Sequence, residues 1–460
     1  MAKQHHEVRD PIHIFVRLTS DERRVLDSTP FQRLRHIHQL ALSYLVYPGA
    51  AHKRFEHSLG VMELATRIFD VVTDPDNVSD EIRELLPAVH TRQSREYWRS
   101  VVRMAALCHD LGHLPFSHAA ERDLLPAGWD HERITVEIIN SPEMTAIWQG
   151  MVPPLRPDHI AKIAVGPKAA DGQFSDWEAI LSEIIIGDAF GADRIDYLLR
   201  DSYHAGVAYG RFDHYRLVDT LRILPPAPQA TTQSEQIDIA FEEELQTERS
   251  EEPTLGVQHG GLHSAEALLI ARYFMYTQVY LHPVRRAYDR HLVEFLKAWL
   301  PEGKFPTDVA GHLSRTDLEV TAAMRALARG THPASRPAHR ILERKHYRVL
   351  YQSTPEDIVL RPDAAAAVHA AAVRKFGPEN LILDQYQGKS AAPDLPVWSE
   401  TDRKSFSAHS LSQPLRNVPP TVVDFVYVAP ELKKTAAAWL RRSRRQILDG
   451  KWAFEGKHTS

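Results

Sequence analysis

Residues 107–118 constrain the fold of this chain more than any other stretch. They read Leu-Cys-His-Asp-Leu-Gly-His-Leu-Pro-Phe-Ser-His. The largely apolar residues 101–108 predict a buried helix that carries His109 and Asp110 inward, before a glycine and a proline break it. Charged groups are rarely buried without a partner. We therefore expect other side chains, or a metal ion, to lie against His109 and Asp110.

Side chains from three separate stretches of the sequence offer the ligands of one divalent metal. They are His57, His109, Asp110 and Asp193. Neutral imidazole with carboxylate suits transition metals better than Ca, and the predicted cofactor is one ion of Mn, Fe, Zn, Ni or Mg. The alternative is that the His-Asp pair is a satisfied core pair or a hydrogen bond on a helix surface.

Longer strings around these residues resemble one family. They are Asp10–His13, Phe31–Arg35, Gln39–Leu40, Tyr47–Ala50 and Arg54–Gly60. Together they look like the deoxynucleoside triphosphate triphosphohydrolases of the HD superfamily, the sterile-alpha-motif/HD-domain enzyme and its bacterial relatives. The likeness is close over about residues 8–205 and weaker to about 440. It implies that water activated by the metal attacks the α-phosphate, and that deoxynucleoside and triphosphate leave.

Three histidines and a glutamate are the predicted catalytic residues. They are His113, His118, His131 and Glu121. Histidine titrates in the working pH range, and a carboxylate can fix its tautomer. The resemblance places His118 and His131 near the scissile bond, with Glu121 beside them. For each histidine alone, the alternative is a structural hydrogen bond.

The resemblance also implies a substrate-binding set. Its members are Gln39, Leu40, Arg54, Arg194, Tyr197, Asp201 and His282. Arginine suits bidentate phosphate contact, and Arg54 and Arg194 both adjoin ligand positions. The i, i+4 spacing puts Tyr197 and Asp201 on the helix stripe of Asp193. By resemblance, Gln39, Tyr197 and Asp201 contact the sugar, and Leu40 crowds a 2′-hydroxyl.

One departure from the family concerns the outer phosphates. Gln278 stands where the mammalian branch has an arginine, and glutamine brings no charge. Arg54, Arg194, Arg285 or Arg286 would then hold these phosphates. A mono- or diphosphate, or another nucleotide ester, therefore remains an alternative substrate of an HD phosphohydrolase or phosphodiesterase.

A second nucleotide site is implied by Asp27, Gln32 and Arg35. In regulated relatives these residues bind a guanine nucleotide at a subunit interface. The implied partners are therefore a nucleotide activator and further copies of the chain, as a dimer or tetramer. The alternative is that Arg35 and Gln32 merely pair on a helix surface.

Composition excludes some classes of protein. The formal net charge of −5 disfavours nucleic acid as the main partner, although a nucleic-acid-binding subunit with a weak HD site stays as a rival. The single cysteine, Cys108, suits a reducing compartment and core packing. Neither an apolar secretory start nor a run long enough to cross a bilayer is present, so a cytoplasmic enzyme is expected.

Helical periodicity covers about two thirds of the chain and predicts a mostly α fold, with small antiparallel β elements. The predicted divisions are an HD catalytic core (1–221), a β excursion (222–262), a helical lobe that completes the active site (263–380) and a small α+β C-terminal lobe (381–460). Within them, residues 335–351 are predicted as a helix, 152–175 as a connection and 237–241 as a strand.

Overall fold

The computed structural model describes residues 5–89, 91–117, 121–170, 172–226, 252–388 and 393–452. Helices dominate these residues, which confirms the predicted mostly α fold. In chain order the helices are α1 (Ser20–Leu26), α2 (Thr29–Arg33), α3 (Arg54–Val72), α4 (Asp80–Leu85), α5 (Arg92–Cys108), α6 (Glu121–Leu124), α7 (His131–Ile139), α8 (Pro142–Gln149), α9 (Pro157–Val165), α10 (Asp176–Ile186), α11 (Ala192–Ala205), α12 (His214–Asp219), α13 (Leu262–Met275), α14 (Pro283–Trp299), α15 (Val309–Leu313), α16 (Asp317–Leu327), α17 (Ser335–Leu342), α18 (Pro355–Leu360), α19 (Ala364–Phe376), α20 (Ala408–Leu411), α21 (Gln413–Arg416) and α22 (Lys433–Leu448).

Short strands form three small sheets among the described residues. The strands are β1 (His5–Asp10), β2 (Ile14–Thr19), β3 (Leu221–Leu224), β4 (Thr254–Gln258), β5 (Arg348–Gln352), β6 (Leu381–Gln387), β7 (Pro396–Ser399), β8 (Lys404–Ser407) and β9 (Val422–Val428). β1 and β2 form an antiparallel hairpin, the second sheet has the order β3-β4-β7-β8, and the third has the order β5-β9-β6. Among the strands of the described residues, only β4 and β7 pair in parallel.

Helices α3, α5 and α11 form the centre of the fold and carry the candidate metal site. The C-terminal half of α5, residues 101–108, is buried, as its apolar sequence predicts. Arg103 is the polar exception, and its guanidinium is held by Glu22 and by the Thr66 hydroxyl. An apolar core around these helices extends from Val16 to Leu415 in the sequence.

The sequence predicts a helix over residues 176–202 that is broken near Gly187 or Gly191, and a short turn separates α10 from α11 there. α10 begins with a capping box from Ser175 and Glu178, and it ends at Ile186. α11 begins after Gly191. The restart packs α11 against α3, and Asp193 in the first turn of α11 lies near His109 at the end of α5.

The segment 381–460, predicted as one lobe, contributes to two different sheets. β7 and β8 join the sheet of β3 and β4, and nearby Leu395 and Leu415 belong to the main core. β9 pairs instead with both β5 and β6, and α19 and α22 cover that sheet to form a second apolar core.

Two predicted segments differ from the structure. The helix predicted over 335–351 ends at Leu342, because Arg344 has a positive φ of 55° and the chain then enters β5. The predicted connection 152–175 contains α9, which starts at Pro157 and buries Ile160 and Ile163. The predicted strand 237–241 lies outside the described residues. In the described part of the chain, no helix combines the length and apolarity needed to cross a bilayer.

Candidate metal centre

The four predicted ligands come together where α3, α5 and α11 meet. Ligand atoms of His57, His109 and Asp110 lie within 4.8 Å of one another, and all three residues are buried. Asp193 Oδ1 lies 3.0 Å from His57 Nε2 and 3.5 Å from His109 Nε2. Two imidazoles and two carboxylates therefore converge from segments up to 136 residues apart.

The two imidazoles are oriented by hydrogen bonds from their other ring nitrogen. His57 Nδ1 donates to Asp196 Oδ2 at 2.8 Å, and His109 Nδ1 donates to the Ala106 carbonyl at 2.8 Å. These bonds select the tautomer in which each Nε2 carries a lone pair. Both lone pairs then point into the cluster.

The imidazole nitrogens and carboxylate oxygens of this cluster face one another, so a cation between them would stabilise the arrangement. His109 Nε2 is buried, and no described residue gives it a hydrogen bond. Burial acts to lower the pKa of His57, but its bonds to Asp193 and Asp196 outweigh burial and raise that pKa to about 10. The carboxylates that favour a proton on His57 also favour a metal ion at this position. The imidazole and carboxylate donors fit a divalent transition metal.

Asp196 is a residue of this site that sequence reasoning missed. Besides His57, it binds His13 Nε2 at 2.7 Å and Arg200 Nε at 2.8 Å, and all of these side chains are fully buried. Arg200 also reaches Asp10 Oδ2 at 2.8 Å. The signal was present, since Asp10 and His13 begin the first matched string and Asp196 follows Asp193 by three residues.

Gly60 makes room for this network. A Cβ at Gly60 would lie 2.0 Å from Asp196 Oδ1 and 2.4 Å from Arg200 Nη2. Any larger residue would therefore displace the carboxylate that orients His57. This gives a physical reason for the glycine at the end of the string Arg54–Gly60.

The structure brings three of the four predicted catalytic residues together beside the cluster. Glu121 Oε1 accepts from His131 Nδ1 at 2.7 Å and from the His131 backbone N–H at 2.6 Å. His113 stacks on His131 with ring centroids 4.1 Å apart, and His113 Nε2 lies 3.1 Å from Asp110 Oδ1. Burial acts to lower the pKa of His131, but Glu121 raises it overall. The fourth, His118, lies outside the described residues.

A cavity of about 900 Å³ opens from the cluster toward the predicted substrate residues. The predicted substrate residues in its wall are Gln39, Leu40, Arg54, Tyr197 and Asp201. Arg54 Nη1 lies 2.5 Å from Asp110 Oδ2, so the arginine adjoins the metal ligands as its position predicts. His52 Nε2 binds Asp201 Oδ1 at 2.7 Å, which fixes the orientation of that carboxylate.

Two members of the predicted substrate set are not among the described residues that line this cavity. Arg194 Nη1 donates to the Gly187 carbonyl at 3.2 Å. His282 instead caps α14, because its Nδ1 accepts from Val284 N–H at 3.2 Å. Arg285 and Arg286 do line the cavity, so cationic side chains reach it from α14.

The predicted regulatory residues lie on the surface near α1 and α2. Arg35 Nε donates to Gln32 Oε1 at 2.9 Å, and its guanidinium lies 3.5 Å from the centroid of the Phe55 ring. Asp27 accepts from Arg23 at 3.1 Å. The structure therefore contains the pair between Arg35 and Gln32 that is the alternative to a second nucleotide site.

Comparisons with known proteins agree with the metal cluster. The family model for the HD domain matches residues 54–142, and the model for the HD associated region matches residues 245–384. The crystal structure of a hypothetical protein from Aquifex aeolicus superposes with a TM-score of 0.73 at 31% identity. That match covers 95% of this chain and 100% of the Aquifex chain. This chain belongs to the HD superfamily.

Among its HD relatives, an uncharacterized protein of Bacillus subtilis, YwfO, is 33% identical over 293 residues. This match covers 63% of this chain and 54% of YwfO. Deoxynucleoside triphosphate triphosphohydrolase SAMHD1 of Homo sapiens is 33% identical over 239 residues, or 47% of this chain and 36% of SAMHD1. The chain thus spans about half of YwfO and about a third of SAMHD1. The HD match begins at Arg54 and contains three of the four predicted ligands.

Proposed function

We propose that this HD protein is a metal-dependent phosphohydrolase that cleaves deoxynucleoside triphosphates to deoxynucleoside and triphosphate. One observation carries the proposal: a single cavity connects the His-Asp cluster with Gln39, Tyr197 and Asp201. A nucleotide needs such a cavity, because its phosphate and its sugar must be held at the same time. The likeness to SAMHD1 over 239 residues supports this substrate class.

A divalent metal bound by His57, His109, Asp110 and Asp193 would polarise the phosphate and provide an activated water at neutral pH. Asp196 holds the His57 ring in the tautomer that this needs. Burial acts to raise the pKa of Asp110, but nearby Arg54 and the two histidines keep it well below its usual range. The ligand carboxylate is therefore charged at pH 7.

The pair of His131 and Glu121 is placed to deliver a proton to the leaving oxygen. Glu121 accepts from Nδ1, so Nε2 is the nitrogen that faces away from the carboxylate. Because Glu121 raises the pKa of His131, the imidazole stays protonated to a higher pH than a free histidine. This gives the protein a general acid on the wall of the cavity, next to Asp110.

The cavity wall that contains Gln39, Leu40 and Asp201 would select the substrate. The buried Gln39 Oε1 has no hydrogen-bond partner among the described residues, so a sugar hydroxyl can donate to it. Asp201 is held between His52 and Tyr280. Leu40 lies beside Gln39 in the same wall and brings an apolar side chain to the sugar.

Product analysis tests this function. The protein is incubated with each dNTP and with Mn²⁺ or Mg²⁺, and the products are separated by ion-exchange chromatography. We expect deoxynucleoside and intact triphosphate in equal amounts. Asp193→Asn is the inactive comparison, and Asp158→Asn, a surface carboxylate, is the matched control.

The placement of Arg194 favours a second candidate, an HD phosphohydrolase that acts on a nucleotide with fewer phosphates. Arg194 is not among the described residues that line the cavity, and its Nη2 lies 3.6 Å from Asp188 Oδ1, so a carboxylate partly offsets its positive charge. Release of orthophosphate or pyrophosphate would establish this candidate and refute the first. Addition of GTP, with turnover and oligomer mass followed together, tests the activator proposed to bind Asp27, Gln32 and Arg35.

A further inference from the structure

The cavity continues past the proposed sugar contacts to a polar cluster on α14. Arg285 and Asp289 line this end, together with Tyr280 and Tyr386. Two hydrogen bonds connect it to the sugar end. The Tyr280 hydroxyl donates to Asp201 Oδ2 at 2.8 Å, and Arg285 Nη1 donates to the Tyr280 carbonyl at 2.5 Å. A ligand whose sugar contacts Asp201 therefore has this cluster beside its next group.

Arg285 and Asp289 keep unused hydrogen-bonding atoms in this wall. Arg285 Nη2 lies 3.3 Å from Asp289 Oδ2, so the two side chains form an ion pair. Arg285 Nε and Asp289 Oδ1 are both buried, and neither has a hydrogen-bond partner in the part of the chain that the structure describes. The Asp289 side chain is only 8% exposed. Since an unpaired buried polar atom costs free energy, the wall is complete only when a ligand supplies one acceptor and one donor.

Burial of the Asp289 carboxylate also favours a hydrogen bond from a donor group of the ligand. Burial raises the pKa of the Asp289 carboxyl, and Arg285 and Arg286 only partly oppose this shift. The carboxylate therefore gains when a ligand offers it N–H groups. Its Oδ2 contact with Arg285 is long, at 3.3 Å, which leaves Oδ2 able to accept a second bond.

The order of these atoms selects among the nucleobases. Arg285 Nε is a donor, and the neighbouring Asp289 carboxylate offers two acceptors, of which Oδ2 lies on the side of Arg285. The complementary edge must present an acceptor followed by two donors. Guanine does so with O6, N1–H and the 2-amino group. Thymine presents acceptor, donor, acceptor, and cytosine presents donor, acceptor, acceptor, while adenine lacks a third polar group.

We propose that Arg285 and Asp289 read the base of the nucleotide and favour guanine, an inference that rests on the hydrolase function proposed above. The phosphates lie at the metal cluster, the sugar lies at Gln39 and Asp201, and the base reaches α14. Tyr386 on β6 lines the same end and brings an aromatic face to it. The C-terminal sheet thus takes part in substrate selection.

The test compares kcat/KM for dGTP, dITP, dATP, dCTP and dTTP in the wild-type protein and in Asp289→Asn. We expect the wild type to prefer dGTP, and the variant to lose about 10- to 100-fold on dGTP alone, because one amide donor replaces an acceptor. dITP, which lacks the 2-amino group, should fall between dGTP and dATP. Glu294→Gln, an exposed carboxylate on the same helix, is the matched control and should keep the wild-type preference.

Binding of free deoxynucleosides, followed by calorimetry, separates the two proposals. Preferential binding of deoxyguanosine that Asp289→Asn abolishes, without turnover of any dNTP, would retain the base-reading pair and remove the triphosphohydrolase function. Turnover of all dNTPs with equal kcat/KM, or a preference that Asp289→Asn leaves unchanged, would overturn the base-reading pair and retain the hydrolase. An unchanged Tm of the variant shows that it is folded.

Discussion

The two ends of the cavity are built differently. At the metal end three of the four predicted ligands are held by a second group: His57 by Asp196, His109 by a backbone carbonyl and Asp110 by Arg54. At the end formed by α14, Arg285 and Asp289 retain a donor and an acceptor without partners among the described residues. The metal end is therefore organised before substrate arrives, whereas the α14 end is completed by its ligand.

The largest effect is expected when a ligand at the organised end is changed. Asp110→Asn removes a ligand charge and leaves Arg54 unpaired in a buried site. We expect metal binding to be lost and turnover to fall by about 1000-fold or more, since metal stabilisation of a phosphate is worth several kcal/mol. Metal content and dNTP turnover measure this. Retention of both by the variant would contradict the metal assignment.

A smaller effect is expected from the residue behind the ligand. Asp196→Asn weakens the bond that orients His57, so metal affinity should fall by about 10- to 100-fold. Asp10→Asn is the matched control, because it removes an Arg200 contact without touching His57. Titration with Mn²⁺ measures both. Equal loss in the two variants would show that Asp196 acts through stability alone, and addition of excess metal should rescue only Asp196→Asn.

A substitution on β6 can perturb the α14 end of the cavity separately from the metal end. Asp384 is fully buried and binds Arg286 and Arg290, which joins the C-terminal sheet to α14. Asp384→Asn should lower the free energy of unfolding by about 2–4 kcal/mol, because two cations lose their buried partner. KM for the nucleotide should rise while Mn²⁺ affinity stays constant. A parallel loss of metal affinity would show that the two ends are not independent.

The smallest effect is a pH dependence near the sugar contacts. Burial and the adjacent His52 lower the pKa of His204 to about 4, against 6.5 in the unfolded chain. Below pH 6.5 the unfolded chain therefore binds a proton at His204 that the folded protein does not bind. The free energy of unfolding then falls as the pH drops from 6.5 to about 4. Replacing His204 with Gln should flatten this part of the Tm profile. An unchanged slope would assign the acid sensitivity to another group.

Short-range signals predicted much of the fold. The apolar run before His109 predicted that the C-terminal half of α5 is buried, and the glycines predicted the break between α10 and α11. Where the sequence mixed signals, the prediction failed. The proline and glycine around α9 conceal its buried face. The helical pattern of residues 335–351 does not reveal β5, because its pairing with β9 depends on residues about 75 positions away.

The same distinction between short-range and long-range information applies to the candidate site. The sequence by itself provided the candidate metal ligands, because His57, His109, Asp110 and Asp193 carry imidazole and carboxylate groups. Only the tertiary structure decided which nitrogen of each imidazole faces the centre, that Asp196 orients His57, that Arg194 donates to the Gly187 carbonyl and that Arg285 and Asp289 line the cavity. The physical reason is that hydrogen-bond partners and buried unpaired atoms depend on distances between helices, and the residue order does not specify those distances.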